Sequence, residues 1–235
     1  MMNADVDPHT GQPVGFPVAT TPAQRPGSVT LQGRFGHIEK LEAKHAASLW
    51  AAVQADDRLW TYLGYGRFAD AASFAAWVGE RVALSDPYSY AVVAADGAAV
   101  GIVTLMEIRP AMRVIEVGNI LYGTPLQRTP LATEVQYLLA HYVFETLGYR
   151  RYEWKCDALN APSRRAAARF GFTFEGLFRQ HMIIKGRNRD TAWHSMLDGE
   201  WPACKQSFER WLAPDNFAAD GRQKQSLAAI NGSAG

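Results

Sequence analysis

The stretch with the most chemical content is TPLQRTPLATE, residues 124–134. It stands between a β-rich run and a segment with apolar residues at helical spacing, so it reads as a strand-loop-helix step. The first amides of a helix have no intrahelical acceptor and sit at the positive end of its dipole, which suits such a step to cradling a pyrophosphate. Pro130 has no N–H but is favoured at the first helical position, leaving Thr129 as the cap and Leu131, Ala132 and Thr133 as amide donors. The same residues also serve as plain helix-start signals, with Thr124 and Gln127 spaced as a capping box, and the two readings stand side by side. Downstream, Asn160 precedes Ala161-Pro162, where a cap belongs, and its amide can also donate to and accept from a ligand. Trp154, Trp193 and Phe178 are either strand-borne core or an aromatic wall for a planar group. His181 and His194 become cross-strand neighbours if their hairpin is centred between Arg187 and Asn188; further metal ligands are missing, so packing or surface placement is the simpler account, with a histidine base the other.

These residues need elements to position them. Residues 28–36 read as a strand, and residues 43–55 place Ala46, Leu49, Trp50 and Val53 on one helical stripe. A second helix carries Phe74, Trp77, Val78 and Val82 and is closed by Asp86-Pro87. Runs 88–95 and 99–108, joined through Asp96-Gly97, predict a hairpin, and a further strand covers about 113–122. Residues 130–147 hold Leu131, Val135, Leu138, Leu139, Tyr142, Val143 and Leu147 at helical spacing, with Gly148 as the stop. A strand over 151–157, a helix over 161–170 ended by Gly171, and a hairpin of 172–185 with 190–197 complete the order. A mixed sheet covered by helices follows. Five prolines within residues 1–27 predict an extended arm, residues 28–213 the folded domain, and the polar residues 214–235 a flexible tail.

Residues 127–132, QRTPLA, resemble the Gln/Arg-x-x-Gly-x-Gly/Ala cofactor loop of the GNAT superfamily of N-acetyltransferases, with Pro130 in place of the middle glycine. Residues 149–176, YRRYEWKCDALNAPSRRAAARFGFTFEG, resemble its strand-helix-strand unit, which ends in an Asn-x-x-Ser helix and a Gly-Phe pair. KGRNRDTAWHSML, residues 185–197, is similar to the closing hairpin of the RimJ/RimL-type branch, and the whole resemblance spans about residues 29–201. It implies an α/β GNAT fold, a mixed, mostly antiparallel sheet with helices on both faces. The implied activity is direct transfer of an acetyl group from acetyl-CoA, as co-substrate and without a metal, to a primary amine of a protein N-terminus or small molecule.

The resemblance also distributes roles. Gln127, Arg128, Thr129, Leu131, Ala132, Thr133 and Asn160 are expected to hold the cofactor, and Arg164, Arg165 and Arg169 either reach the adenosine 3′-phosphate or form a solvated face. Glu116, on the strand before the loop, is the expected base, acting through water with a carboxyl raised by burial. Gly118-Asn119 marks a bulge that spreads the strands to admit the thioester. Ser163 is the expected partner of the departing thiolate, because Ala167 stands where many members have a tyrosine acid. Asn119, Trp154 and His181 are expected on the acceptor side, and Cys156 is not a nucleophile. Pro130 and Ala167 motivate the alternative of a non-catalytic CoA-binding sensor or scaffold.

Composition limits the other function classes. A chain of 235 residues with 48% hydrophobic content suits one well-buried domain. With 24 Lys and Arg against 23 Asp and Glu there is no global basic field, so neither nucleic acid nor a membrane surface is an expected partner. The opening residues lack a basic region followed by an apolar run, and no apolar stretch is long enough to span a bilayer. Two cysteines are too few for a disulfide framework, which points to a reducing cytoplasm. The expected partner is the amine acceptor; homodimerisation is left open.

Overall fold

The computed structural model describes residues 4–232. A small exposed hairpin, β1 (Ala4–Val6) and β2 (Pro13–Gly15), opens the chain where an extended arm alone was expected. The chain then runs extended until the Ala23 and Gln24 amides bond to the carbonyls of Pro110 and Leu147. The strand expected over 28–36 is two short strands, β3 (Thr30–Gln32) and β4 (Gly36–Lys40), paired across a turn. A buried carboxylate makes that turn: Glu134 accepts from the amides of Arg34 (2.6 Å) and Phe35 (2.8 Å). Glycine suits position 33, because a Cβ would stand 2.4 Å from the Glu134 carboxyl carbon and push aside the group that holds the turn.

Two helices follow, α1 (Ala46–Val53) and α2 (Ala71–Val82), the second capped by Asp70, which accepts from the Ser73 amide at 2.8 Å. Then come β5 (Tyr88–Ala94), β6 (Ala99–Arg109), β7 (Val114–Tyr122) and α3 (Pro130–His141), which continues as a π-helical turn over Tyr142–Thr146. The chain proceeds through β8 (Arg151–Asp157), α4 (Ala161–Arg169), β9 (Thr173–Ile184), β10 (Arg187–Leu197), α5 (Trp201–Leu212) and α6 (Leu227–Gly232).

The main sheet has eight strands in the order β3-β4-β5-β6-β7-β8-β10-β9, antiparallel throughout except for the parallel β7–β8 pair. One face is covered by α1 and α2, with Leu49, Val53, Phe74 and Trp77 packed on Ala91, Val93, Ile102 and Leu121. The other is covered by α3, α5 and α6, with Val135, Leu139, Phe208 and Leu227 against the side of Val92, Val103 and Val117. The α/β fold with helices on both faces is therefore present as expected.

Two further expectations are corrected. The β9–β10 turn sits at Lys185-Gly186, both at positive φ as a two-residue hairpin turn requires, and not between Arg187 and Asn188. With irregularities near Arg189 and Trp193, His194 lies opposite Phe174, and the His181–His194 pair does not form. The polar C-terminal residues also fold back: Leu227 and Ile230, spaced for one helical face, are 1% and 2% exposed.

Candidate active site

The central feature is a parting of strands inside the sheet. β7 and β8 pair only from Val114↔Arg151 to Val117↔Trp154. Beyond that point β7 stays with β6 and β8 with β10. The cause lies at Gly118-Asn119. Between Thr104↔Gly118 and Ile102↔Leu121 β7 carries one residue more than β6, with Asn119 at φ 47°, and such a bulge bends and twists its strand. Glycine suits the bulge because a Cβ at 118 would lie 2.4 Å from Met106 Sδ. The Thr104 hydroxyl fixes it by donating to the Gly118 carbonyl at 2.8 Å. The parted strands open into a cleft of about 1740 Å³.

Strand alternation puts Glu116, Glu153, Lys155 and Trp193 on one face. The Lys155 ammonium stands 2.8 Å from Glu116 and 3.0 Å from Glu153, 4.0 Å from the centre of the Trp193 ring. Glu153 is also paired with Arg109 (2.7 Å) and Arg151 (2.8 Å). Burial pushes the Glu116 carboxyl up to about 7, against the opposing pull of Lys155. Burial acts on Glu153 too, but hydrogen bonds from Arg151 and Lys155 outweigh it and hold this carboxyl below its ordinary range. Facing carboxylates are thus split into an ionised one and one that titrates near neutrality, the arrangement that separates a structural anion from a proton acceptor. Phe178 stacks on Trp193 at 4.4 Å, and His181 Nδ1 lies 2.9 Å from the Thr191 hydroxyl. Tyr62 and Tyr65, from the segment after α1, cover this side. That segment is pinned by Lys185, which donates to the Trp60 carbonyl (2.7 Å), and by Tyr62, which donates to the Leu159 carbonyl (3.1 Å).

The opposite face holds the helix starts. Thr129 caps α3, accepting from the Ala132 amide at 3.3 Å and donating to the Leu126 carbonyl at 2.7 Å, with Pro130 as the first helical residue. Arg128 turns the loop at φ 62°, and Gln127 donates to the Tyr122 carbonyl at 2.9 Å. Arg169 reaches over from α4 to donate to the Thr133 hydroxyl at 3.0 Å. Asn160 caps α4 by accepting from the Ser163 amide at 3.1 Å, and the Ser163 hydroxyl accepts from the Trp154 indole at 3.0 Å. Cys156 is buried, and burial pushes its thiol up.

Glu116, Asn119, Gln127, Arg128, Thr129, Ala132, Thr133, Trp154, Asn160, Ser163 and His181 therefore all line one cleft. Leu131 is different: its side chain is buried beside Gly36, so its amide is what it has to offer. The three-ring wall does not form. Trp193 pairs with Lys155 and Trp154 with His194, which puts the indoles on opposite faces; Trp154 packs on Phe170 and Phe172. Lys155 and the residues after α1 were not anticipated. The signal for Lys155 was in RYEWKCD, where charges alternate with large apolar residues along a strand. Among the described residues no group of three or more His, Cys, Asp or Glu is placed to hold a metal ion, and no helix is long and apolar enough to cross a membrane.

The Acetyltransferase (GNAT) domain family matches residues 37–173. Among solved structures, a GCN5-related N-acetyltransferase from Brucella melitensis is similar over 90% of this chain and 98% of its own, at 48% identity and a TM-score of 0.88. A GNAT-family chain from Chromobacterium violaceum is similar over 84% of this chain and 98% of its own, at 41% identity and a TM-score of 0.73. RimL, the ribosomal L7/L12 alpha-N-protein acetyltransferase in complex with coenzyme A, shares the fold over 72% of this chain and 98% of its own, at 18% identity and a TM-score of 0.62. No curated protein matches the chain.

Proposed function

The chain belongs to the GNAT family of acetyltransferases, and from that premise we propose that it moves an acetyl group from acetyl-CoA directly to a primary amine in the cleft between β7 and β8. The observation that carries this reading is the parting of these two central strands with Glu116 beside the point of divergence. Backbone groups of residues 118–122 and 155–157 have no strand between them, and the amides of a pantetheine arm match such edges in hydrogen-bonding chemistry. The cleft reaches both faces of the sheet. That supports a donor entering on the α3 and α4 side and an acceptor on the Trp193 and Tyr62 side.

On the donor side, Gln127, Arg128 and Thr129 with the free amide of Leu131 surround the diphosphate, the Ala132 amide being held by the Thr129 hydroxyl and the Thr133 amide by the first helical bond, and Asn160 lies along the pantetheine. On the acceptor side, Glu116 takes a proton from the amine through water, with Lys155 holding its carboxylate in place. The amine nitrogen then attacks the thioester carbonyl carbon, the C–S bond breaks, and sulfur leaves as thiolate. Ser163 accepts a hydrogen bond from Trp154, which leaves its own hydroxyl proton to turn from the neighbouring Cys156 sulfur to the departing one. The proton lost by the amine balances the one the thiolate finally takes. No enzyme nucleophile is required, in keeping with the buried, raised thiol of Cys156.

Asn119 and His181 border the acceptor, beside the Trp193–Phe178 stack. The likeness to RimL favours a protein α-amine as in the RimJ/RimL-type branch, and the stacked rings a small molecule with a planar group. Two free cysteines fit a cytoplasmic setting. Titration calorimetry with CoA and acetyl-CoA, followed by thiol release with a panel of amines, tests the proposal. Uptake of both and amine-dependent thiol release are expected. Uptake without release on any acceptor would favour the sensor that Pro130 and Ala167 suggest, and no uptake would end the acetyl-CoA reading. Ser163→Ala should slow turnover and leave CoA binding intact; unchanged turnover removes Ser163 from the chemistry.

A further inference from the structure

Past the first turn of α3 the cleft runs on to a wall made by the end of α5 and the segment that follows it, outside the span of the GNAT domain match. Trp211, Phe217, Gly221, Arg222 and Gln223 face it. The segment is held firmly. The buried Asn216 amide donates to the carbonyls of Trp211 (2.9 Å) and Gln225 (3.2 Å), and its oxygen accepts from the Gln225 amide (2.9 Å). The Trp211 indole donates to Gln223 at 2.7 Å, and Phe217 sits edge-on to Trp211 (5.3 Å) and Phe35 (5.6 Å). Beyond it, α6 is tied back by buried Leu227 and Ile230 and by Asn231, which donates to the Arg169 carbonyl at 3.1 Å.

Arg169 joins this wall to α3. Its guanidinium donates to Thr133 at 3.0 Å and lies 5.2 Å and 5.3 Å from the ring centres of Phe170 and Trp211. It is half-buried, yet among the described residues no carboxylate forms an ion pair with it. A partly desolvated guanidinium with that surrounding is stabilised by an anion arriving from the cleft. Arg222 stands exposed at the rim, its pair with Asp220 long at 3.6 Å and in solvent, so it gives up little by turning to a ligand.

We infer that this C-terminal wall is the nucleotide end of the donor site, where Arg169 and Arg222 receive the 3′-phosphate and Trp211 and Phe217 close the apolar side against the adenine. The inference rests on the acetyl-CoA reading, because the adenosine 3′-phosphate is what remains once the diphosphate sits on α3 and the thioester near Glu116. Calorimetry on the full chain with CoA and with 3′-dephospho-CoA tests it. The wild type should prefer CoA by roughly tenfold or more, the scale of one or two charge-assisted hydrogen bonds. Arg222→Gln should reduce that preference several-fold and Arg169→Gln abolish it, while affinity for 3′-dephospho-CoA changes little. Arg222 is exposed, so its variant carries the test even if Arg169→Gln folds poorly. Equal wild-type affinity for the two nucleotides, or an unchanged preference in Arg222→Gln, overturns the inference and leaves the acetyl-CoA reading standing. Failure of the wild type to bind either nucleotide overturns that reading itself.

Discussion

Glu116 and Glu153 face each other across the parallel strand pair, and their cations decide which of them can exchange a proton. With the Glu116 carboxyl near 7, kcat/KM should rise with pH through about 7 as the proposed base ionises. Glu116→Gln should lose that limb and fall by roughly 10²-fold or more while still binding CoA, as read from a pH–rate profile and calorimetry. Stability carries the opposite sign. A carboxyl whose folded value is raised contributes fully below about 4.5 and loses that contribution as pH climbs to about 7. The loss is on the order of 3 kcal/mol, and urea denaturation of Glu116→Gln should show a flatter pH dependence than the wild type. Lys155→Met removes the group that pulls Glu116 down, so the activity limb should move above 7; an unmoved limb would show that Lys155 does not act on this carboxyl. The residue types were legible and their partnership was not, because Glu116 and Lys155 lie on separate strands whose register no local pattern encodes.

At the level of elements, α3 is the helix proposed to position the diphosphate, and what holds α3 is Glu134 bonded to the β3–β4 turn. Glu134 is almost fully buried, so Glu134→Ala leaves two amides without their acceptor and should cost about 3 kcal/mol by urea denaturation, given the usual worth of hydrogen bonds to charged groups. CoA affinity should fall with it as the first turn of α3 shifts. The helix stripes and the Asp96-Gly97 hairpin were readable because their period and turn chemistry are local. The β9–β10 register was not, since a turn moved to Lys185-Gly186 and two irregularities change which side chains meet without altering the alternation. The single strand expected over 28–36 became two for a similar reason: the acceptor that stabilises the turn, Glu134, comes from a distant helix.

For the whole molecule, the C-terminal helix bears on stability and on the proposed donor site. A chain ending at Ser226 loses the burial of Leu227 and Ile230, worth roughly 3–5 kcal/mol together, and the Asn231 tie to Arg169. It should unfold at lower urea and bind CoA more weakly; a chain as stable as the full one would show that α6 contributes nothing to the core. Composition hid this helix, because its two anchoring residues are dispersed in a polar stretch. By itself the sequence determined the order of elements from α1 to β10, the helix start that suits a diphosphate, and the glycine-asparagine step that bulges β7, since each depends on residues close along the chain. Only the tertiary structure decided that β7 and β8 part beside Glu116, that Lys155 restrains this carboxylate, and that the C-terminal segment closes the cleft. Those outcomes depend on which distant side chains are buried together, where desolvation and pairing set their chemistry.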